Sequence, residues 1–171
     1  VTKRPMHILL IGGAGYIGAH MCRFLTSRGH EVTILDNLST GHREAVTRPA
    51  NLIVGDVRDR SAVDYVLAET TFDAVMHFGA LSIVGDSVRD PYAYWETNVA
   101  GTLNVLQAMR THGPHSFIFS STAAVYGEPR RVPIAEADRT EPINPYGATK
   151  LAFEGAMRWY AAAHDFRAIS L

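Results

Sequence analysis

The segment His7-Ile8-Leu9-Leu10-Ile11-Gly12-Gly13-Ala14-Gly15-Tyr16-Ile17-Gly18 decides the fold of this chain. Its first part, Ile8-Leu9-Leu10-Ile11, is an unbroken apolar run of strand length, ended by Gly12-Gly13. Residues 15–27 then read as a helix closed by Arg28-Gly29, with Gly29 as its C′ residue. Gly13, Gly15 and Gly18 match G-x-G-x-x-G, while Gly12, Gly15 and Gly18 match G-x-x-G-x-x-G. Either spacing suits a backbone that must turn tightly and approach an anion closely. The helix start adds unpaired N–H groups and the positive end of a dipole. Glycine clusters alone often mark only turns. The strand–turn–helix context is what predicts a pyrophosphate-binding loop.

Similar apolar runs recur along the chain. Val32-Thr33-Ile34-Leu35, Leu52-Ile53-Val54, Ala74-Val75-Met76-His77-Phe78, Phe117-Ile118-Phe119 and Ala168-Ile169-Ser170-Leu171 each read as a strand. Near-continuous apolar strands, buried on both faces, are the mark of a parallel sheet. Between them, residues 59–69, 91–112 and 145–164 read as helices. Asp59 or Ser61 caps the first, Pro91 opens the second, and Gly113-Pro114 stops it. Strands alternating with helices predict an α/β fold with a doubly wound parallel sheet of the Rossmann type. The longest irregular stretch, 127–144, follows the fifth strand, where such folds place ligand-contacting loops.

Composition narrows the class. The chain has 171 residues, enough for one domain with its own core. Sixteen Lys+Arg against seventeen Asp+Glu give no basic field for nucleic acid and no charge bias toward a membrane surface. No apolar run is long enough to span a bilayer. Residues 1–7 are a short polar lead, and the run after them is too short for a signal-peptide core. The single cysteine, Cys22, cannot form an internal disulfide, which fits the cytoplasm expected for this chain. The eight histidines show no metal-binding spacing, so no metal is expected.

Two acids follow strands. Asp36 ends the second strand, 18 residues after Gly18, where a carboxylate can accept from adenosine ribose hydroxyls and repel a 2′-phosphate. Its neighbours Asn37 and Leu38 supply no cation, so NAD is favoured over NADP. Asp56 ends the third strand and is placed either to reach the adenine amino group or to close a turn. Further along, Tyr146-Gly147-Ala148-Thr149-Lys150 opens the last helix, and the spacing of four puts Tyr146 and Lys150 on one face. A nearby ammonium favours phenolate, which lets the tyrosine take a proton from a hydroxyl. Ser120-Ser121-Thr122 follows the fifth strand, where a hydroxyl can point into the crevice or satisfy loop backbone.

These motifs are joined by Asp36-Asn37-Leu38-Ser39-Thr40-Gly41, Gly55-Asp56-Val57, His77-Phe78-Gly79-Ala80, Val84-Gly85-Asp86-Ser87, Asn98-Val99-Ala100-Gly101-Thr102 and Phe119-Ser120-Ser121-Thr122-Ala123-Ala124-Val125-Tyr126-Gly127. Together they resemble the N-terminal NAD-binding domain of the UDP-glucose 4-epimerases, within the extended short-chain dehydrogenase/reductase family. The resemblance runs along essentially the whole chain. It implies catalytic roles for Tyr146 as general base, Lys150 in orienting cofactor and tyrosine, and Thr122 in a hydrogen bond to the sugar 4′-oxygen. Substrate contacts then fall to Thr122 and Tyr146. Cofactor contacts map onto Gly12, Gly15, Tyr16, Ile17, Gly18, Asp36, Asn37, Asp56, Val57, Phe78, Gly79, Ala80, Asn98, Tyr146 and Lys150. The chain departs from many members at Gly79-Ala80, where they have Ala-Gly, and at Ser82, where they have a lysine that would strengthen the cofactor grip.

The implied activity is the interconversion of UDP-glucose and UDP-galactose through a 4-keto sugar, an isomerase of galactose metabolism. Related dehydratases carry an acidic pair after the Ser-Thr, and here those positions hold Ala123 and Ala124, whose methyl groups cannot exchange protons. Other UDP-sugars are alternative substrates, and a non-catalytic NAD(H)-binding module is the alternative class. The family also implies a homodimer through helices 91–112 and 145–164, with Tyr94, Trp95, Met109, Met157 and Trp159 partly interfacial. Residues 1–171 are expected to form one NAD-binding domain that stops inside its sixth strand, without the C-terminal portion that holds most of the UDP-sugar.

Overall fold

Strand β1 (His7–Ile11) lies inside the sheet because both of its faces are apolar. Ile8 and Leu10 face one side, with Cys22, Leu25, Val32 and Ile34. Leu9 and Ile11 face the other, with residues of three helices. The computed structural model describes residues 4–171, and the polar lead expected at residues 1–3 lies outside the described residues. After β1 come α1 (Tyr16–Ser27), β2 (Glu31–Asp36), β3 (Asn51–Val54), α2 (Arg60–Glu69), β4 (Ala74–His77), α3 (Val84–Arg89) and α4 (Pro91–Trp95). Then follow α5 (Thr102–His112), β5 (Ser116–Phe119), α6 (Pro145–His164) and β6 (Arg167–Ser170).

The six strands pair in parallel in the order β3-β2-β1-β4-β5-β6. The chain builds outward from β1 to β3, returns to set β4 beside β1, then builds outward the other way. That reversal opens a crevice beyond the carboxyl ends of β1 and β4, the place where such sheets bind ligands. One face of the sheet is covered by α1. The other is covered by α2, α5 and α6, through Val63, Val66, Leu67, Val105, Leu106, Met109, Phe153 and Met157.

The helix ends follow local chemistry. Asp59 caps α2 by accepting from the N–H groups of Ser61 and Ala62. Asp90 caps α4 and Asn144 caps α6, each with proline at the first helical position. At the end of α1, Gly29 has a positive φ of 80°. Its N–H donates to Thr26 O and that of His30 to Leu25 O, the paired bonds of a Schellman motif.

Three expectations are corrected and one element is added. The edge strands β3 and β6 are not buried on both faces, because the helix layers centre on the inner strands; Val54 and Ile169 stay exposed. The helix expected over 91–112 is not uniform, since a π-helical turn at Glu96–Gly101 separates α4 from α5. Helix α3 falls in a stretch to which the sequence reading assigns no element, because Val84-Gly85-Asp86-Ser87 is too short and too rich in Gly and Ser to show a helical period. Tyr94, Met109 and Met157 are buried within this chain and so are not available to a partner, whereas Trp95 and Trp159 are exposed. Among the described residues, no helix is long and apolar enough to cross a membrane.

Phe153 on α6 is fully buried, with ring centroids 4.6 Å from Phe119 and 6.1 Å from Phe117 on β5. It fastens α6 to the strand that carries Ser120-Ser121-Thr122. Phe153→Ala is expected to destabilise the fold by about 3–5 kcal/mol, read as a lower midpoint in urea unfolding.

Candidate functional site

The glycine turn is set by two close approaches. Gly12 has φ +76°, and a Cβ there would lie 2.3 Å from Gly79 N. A Cβ on Gly18 would lie 2.2 Å from Gly12 O, so α1 can seat on β1 only with glycine at that position. Gly15 is the N-cap of α1, with no side-chain cap bond. The N–H groups of its first turn therefore have no partner from a capping side chain or from the helix itself. They stand at the carboxyl end of β1, and no acidic residue occupies that turn.

Asp36 braces this turn. Its Oδ2 accepts from Ala14 N at 2.9 Å and its Oδ1 from Leu38 N at 2.8 Å, and the residue is almost fully buried at the end of β2. Each oxygen keeps a lone pair free. A cleft of about 190 Å³ opens beside it, lined among others by Gly12, Gly15, Asp36, Asn37, Val57, Phe78, Gly79 and Ala80. Ser39, Thr40, Gly41, Arg58, Leu81 and Thr97 complete much of the wall and were not singled out from sequence. The run Leu38-Ser39-Thr40-Gly41 carried a signal, since polar loop residues next to an end-of-strand acid commonly share its ligand. Arg58 carried none.

Arg58 changes the electrostatic picture. Its guanidinium donates to Asp56 at 2.7 Å and reaches Glu96 at 3.4 Å. The cation that Asn37 and Leu38 lack is thus present in the cleft wall, though two carboxylates hold it. The Arg58 hydrogen bonds, helped by one from Asn37, hold the Asp56 carboxyl well below the usual carboxylate range. Asp56 flanks the cleft rather than lining it, and its carboxylate is committed to Arg58 and Asn37.

The remaining expected contacts distribute unevenly. Tyr16 and Ile17 are exposed on the first turn of α1, and Gly18 is buried beneath it. Asn98 is buried behind Leu81 of the cleft wall. Both N–H bonds of its amide are used, on Leu81 O at 2.9 Å and Thr149 Oγ1 at 3.2 Å, while its Oδ1 accepts from Leu81 N. In this arrangement the side chain braces Leu81 and Thr149, and its Oδ1 keeps one lone pair. Ser82 is exposed.

A second group gathers at the end of β5. Ser120 N donates to His77 O, so β4 and β5 end side by side at the crevice. Lys150 is buried, donates from Nζ to Ser120 O at 2.8 Å, and lies 4.6 Å from the centre of the Phe119 ring. Burial pulls its pKa down to about 8, partly offset by the Glu154 carboxylate one turn further on. Thr122 Oγ1 accepts from Ala124 N at 3.2 Å, which leaves its own proton free to donate. The Gly147 backbone sits directly against the Ala124 carbonyl, so the first turn of α6, bearing Tyr146, abuts the turn that Thr122 caps. The Tyr146 ring is half-buried, edge-on to Tyr94 at 6.5 Å between centroids. Glu154, missed in the sequence, accepts from both Ser121 and Ser170. No carboxylate stands at Ala123 or Ala124.

This strand order, with a glycine turn between β1 and α1, defines the dinucleotide-binding class of doubly wound α/β proteins. Comparison with known proteins narrows the class: the model of the NAD dependent epimerase/dehydratase family matches residues 8–171, and the chain belongs to that family. It is 52% identical over 166 residues to a UDP-glucose 4-epimerase of Corynebacterium glutamicum, covering 97% of this chain and 50% of that protein. A Streptomyces lividans UDP-glucose 4-epimerase is 48% identical, with 95% and 50% covered. Among solved structures, the Brucella ovis UDP-glucose 4-epimerase in complex with NAD superposes with a TM-score of 0.93 at 41% identity, over 96% of this chain and 50% of that one. The Bifidobacterium longum enzyme in complex with NAD+ and UDP gives 0.91 at 35%, over 96% and 52%. The chain thus spans about half the length of the curated relatives it matches.

His77, fully buried at the end of β4, supplies a test of this geometry. Burial, with the nearby Lys150 charge, lowers its pKa from 6.5 to about 3. Between those values the unfolded chain binds a proton that the folded chain refuses, so this contribution to stability is full above 6.5 and falls with pH below it. In His77→Gln the fall is removed. The wild-type-minus-variant difference in unfolding free energy should decline by about 1.4 kcal/mol per pH unit below roughly pH 6 in equilibrium denaturation.

Proposed function

We propose that this chain binds NAD and carries the catalytic residues for 4-epimerisation of a UDP-sugar, interconverting UDP-glucose and UDP-galactose through a 4-keto sugar. The observation that carries this reading is the junction at the end of β5. There the turn capped by Thr122 abuts the turn of α6 that bears Tyr146, over the buried Lys150. The identity to UDP-glucose 4-epimerases across 97% of the chain supports the same assignment.

The cleft fits the adenosine half of NAD. Asp36 keeps lone pairs free for ribose hydroxyls, and the uncapped first turn of α1, through the N–H groups of Tyr16, Ile17 and Gly18, suits a pyrophosphate. Gly12, Gly15, Asn37, Val57, Phe78, Gly79 and Ala80 shape the wall around it. When bound, NAD supplies reversible removal and return of a hydride at the sugar carbon. The protein's part is acid–base chemistry and positioning. Tyr146 takes the proton of the 4′-hydroxyl and later returns it. Lys150, as an ammonium, favours the phenolate and holds the end of β5 through Ser120 O. Thr122 donates its free proton to the 4′-oxygen. Ala123 and Ala124 offer no proton donor or acceptor from a side chain, which favours epimerisation over water elimination.

Exposed Trp95 and Trp159, on α4 and α6, support assembly as a homodimer through the helices of residues 91–112 and 145–164. As in the family's longer members, the domain of residues 1–171 would act together with a C-terminal portion that holds the UDP-sugar.

The reading is tested in two stages. Isothermal titration of this chain with NAD should show one site, and the extracted protein should retain the dinucleotide. The chain joined to the C-terminal half of the Corynebacterium glutamicum relative should convert UDP-galactose to UDP-glucose. Tyr146→Phe should lower kcat by about 10²–10⁴-fold with NAD still held. NAD retention without any conversion by the joined protein would instead favour a non-catalytic NAD(H)-binding module.

A further inference from the structure

A continuous line of buried hydrogen bonds runs from β4 to the turn that bears Tyr146. His77 Nε2 lies 3.0 Å from Thr102 Oγ1, and Thr102 Oγ1 donates to Asn98 O at 2.9 Å. Asn98 Nδ2 donates to Thr149 Oγ1 at 3.2 Å, and Thr149 Oγ1 donates to Tyr146 O at 2.7 Å. His77, Thr102, Asn98 and Thr149 are all at most 2% exposed.

The direction of each bond follows from counting protons. A hydroxyl has one. Thr149 gives its proton to Tyr146 O, so its oxygen must accept from Asn98. Thr102 gives its proton to Asn98 O, so its oxygen must accept from His77. The histidine proton therefore sits on Nε2, which leaves Nδ1 a bare acceptor. That nitrogen is the one buried side-chain polar atom without a partner among the described residues.

The π-helical turn is where this line crosses the helix. Glu96–Gly101 widens the backbone at the point where the Asn98 side chain reaches two other segments. Its amide holds both the N–H and the C=O of Leu81, a residue of the cleft wall, and also Thr149 on α6. A wide turn inside a helix is costly, and such turns recur at functional sites. A second restraint acts on the ring. Tyr94 stands edge-on to Tyr146 and donates its hydroxyl to Ile83 O at 2.6 Å.

We propose that Asn98 and Thr149 are positioning residues for Tyr146, tying the first turn of α6 to the wall of the cleft. On the reading of Tyr146 as the proton-transferring group, this bracket sets where the phenol stands relative to a dinucleotide bound beside Leu81. Neither residue touches the reacting atoms. Their effect passes through the backbone of residues 146–149.

The test removes one hydroxyl without changing shape. In this chain, amide hydrogen exchange is measured by NMR for Thr149→Val, Thr149→Ser and wild type. Thr149→Val should speed exchange of the amides of residues 146–150 and of Leu81 roughly 10-fold, with Leu9 and Leu10 of β1 unchanged. Thr149→Ser should restore wild-type rates. Unchanged rates in the valine variant, equal acceleration in β1, or no rescue by serine would each overturn the bracket. If valine prevents folding, Thr149→Ala takes its place with the same readings. In the protein joined to the C-terminal half, Thr149→Val should lower kcat on the order of 10- to 100-fold with KM for UDP-galactose and NAD affinity unchanged. Unchanged kcat, or a change confined to KM, would overturn the positioning role. A wild-type protein that holds NAD and converts nothing defeats the proposed function alone, and the exchange rates then decide the bracket by themselves.

Discussion

The distance between α1 and β1 governs this molecule. A methyl group on Gly18 would overlap the carbonyl of Gly12, and one on Gly12 would overlap the backbone after β4. Two missing side chains thus let three segments meet: the end of β1, the first turn of α1, and the turn at Gly79. Because β1 and β4 are neighbours where strand order reverses, this meeting point is also the floor of the crevice. Asp36 locks the arrangement from the side, through Ala14 on the glycine turn and Leu38 on the next loop.

From that floor, order passes across the sheet edge by short steps. His77 O holds Ser120 N, and Ser120 O holds the ammonium of Lys150. Phe153 packs against Phe119 with its ring tilted by 48°. Helix α6 is therefore fixed twice, by apolar contact along its length and by polar contact at its start. The π-helical turn adds a third fixture from the other side. The group of residues around Tyr146 and the cleft around Asp36 are separate patches, but the elements that carry them are not independent.

Much of this was legible in the residues alone. Six apolar runs mark the six strands, five of them ended by glycine, acid or hydroxyl residues, and the four inner strands, buried on two faces, have few polar positions to blur them. Asp59, Pro91 and Gly29 likewise announced helix ends by chemistry that acts within one turn. What was not legible depends on contacts far apart in sequence. Asn98 reads in sequence as a cofactor contact, and its further part as a brace between Leu81 and Thr149 shows only in bonds to segments 17 and 51 residues away. The π-helical turn has no period of its own to detect. Arg58 enters the cleft because Asp56 and Glu96 hold it there, and Glu96 is 38 residues away in the chain. Tyr94, Met109 and Met157 read equally well as core or interface, because both need apolar side chains; burial within the chain decided between them.

The double duty of Asp36 has a consequence for protein engineering. Exchanging this acid for a small neutral residue is the obvious way to admit a phosphorylated ribose in place of a plain one. Here the same exchange would strand two backbone donors, one of them in the glycine turn. On the proposed role of Asp36, coenzyme choice and the shape of the glycine turn meet in one side chain. Altering the former without harming the latter calls for new residues at Ser39 or Thr40, which border the space and whose side chains anchor none of the glycine turn.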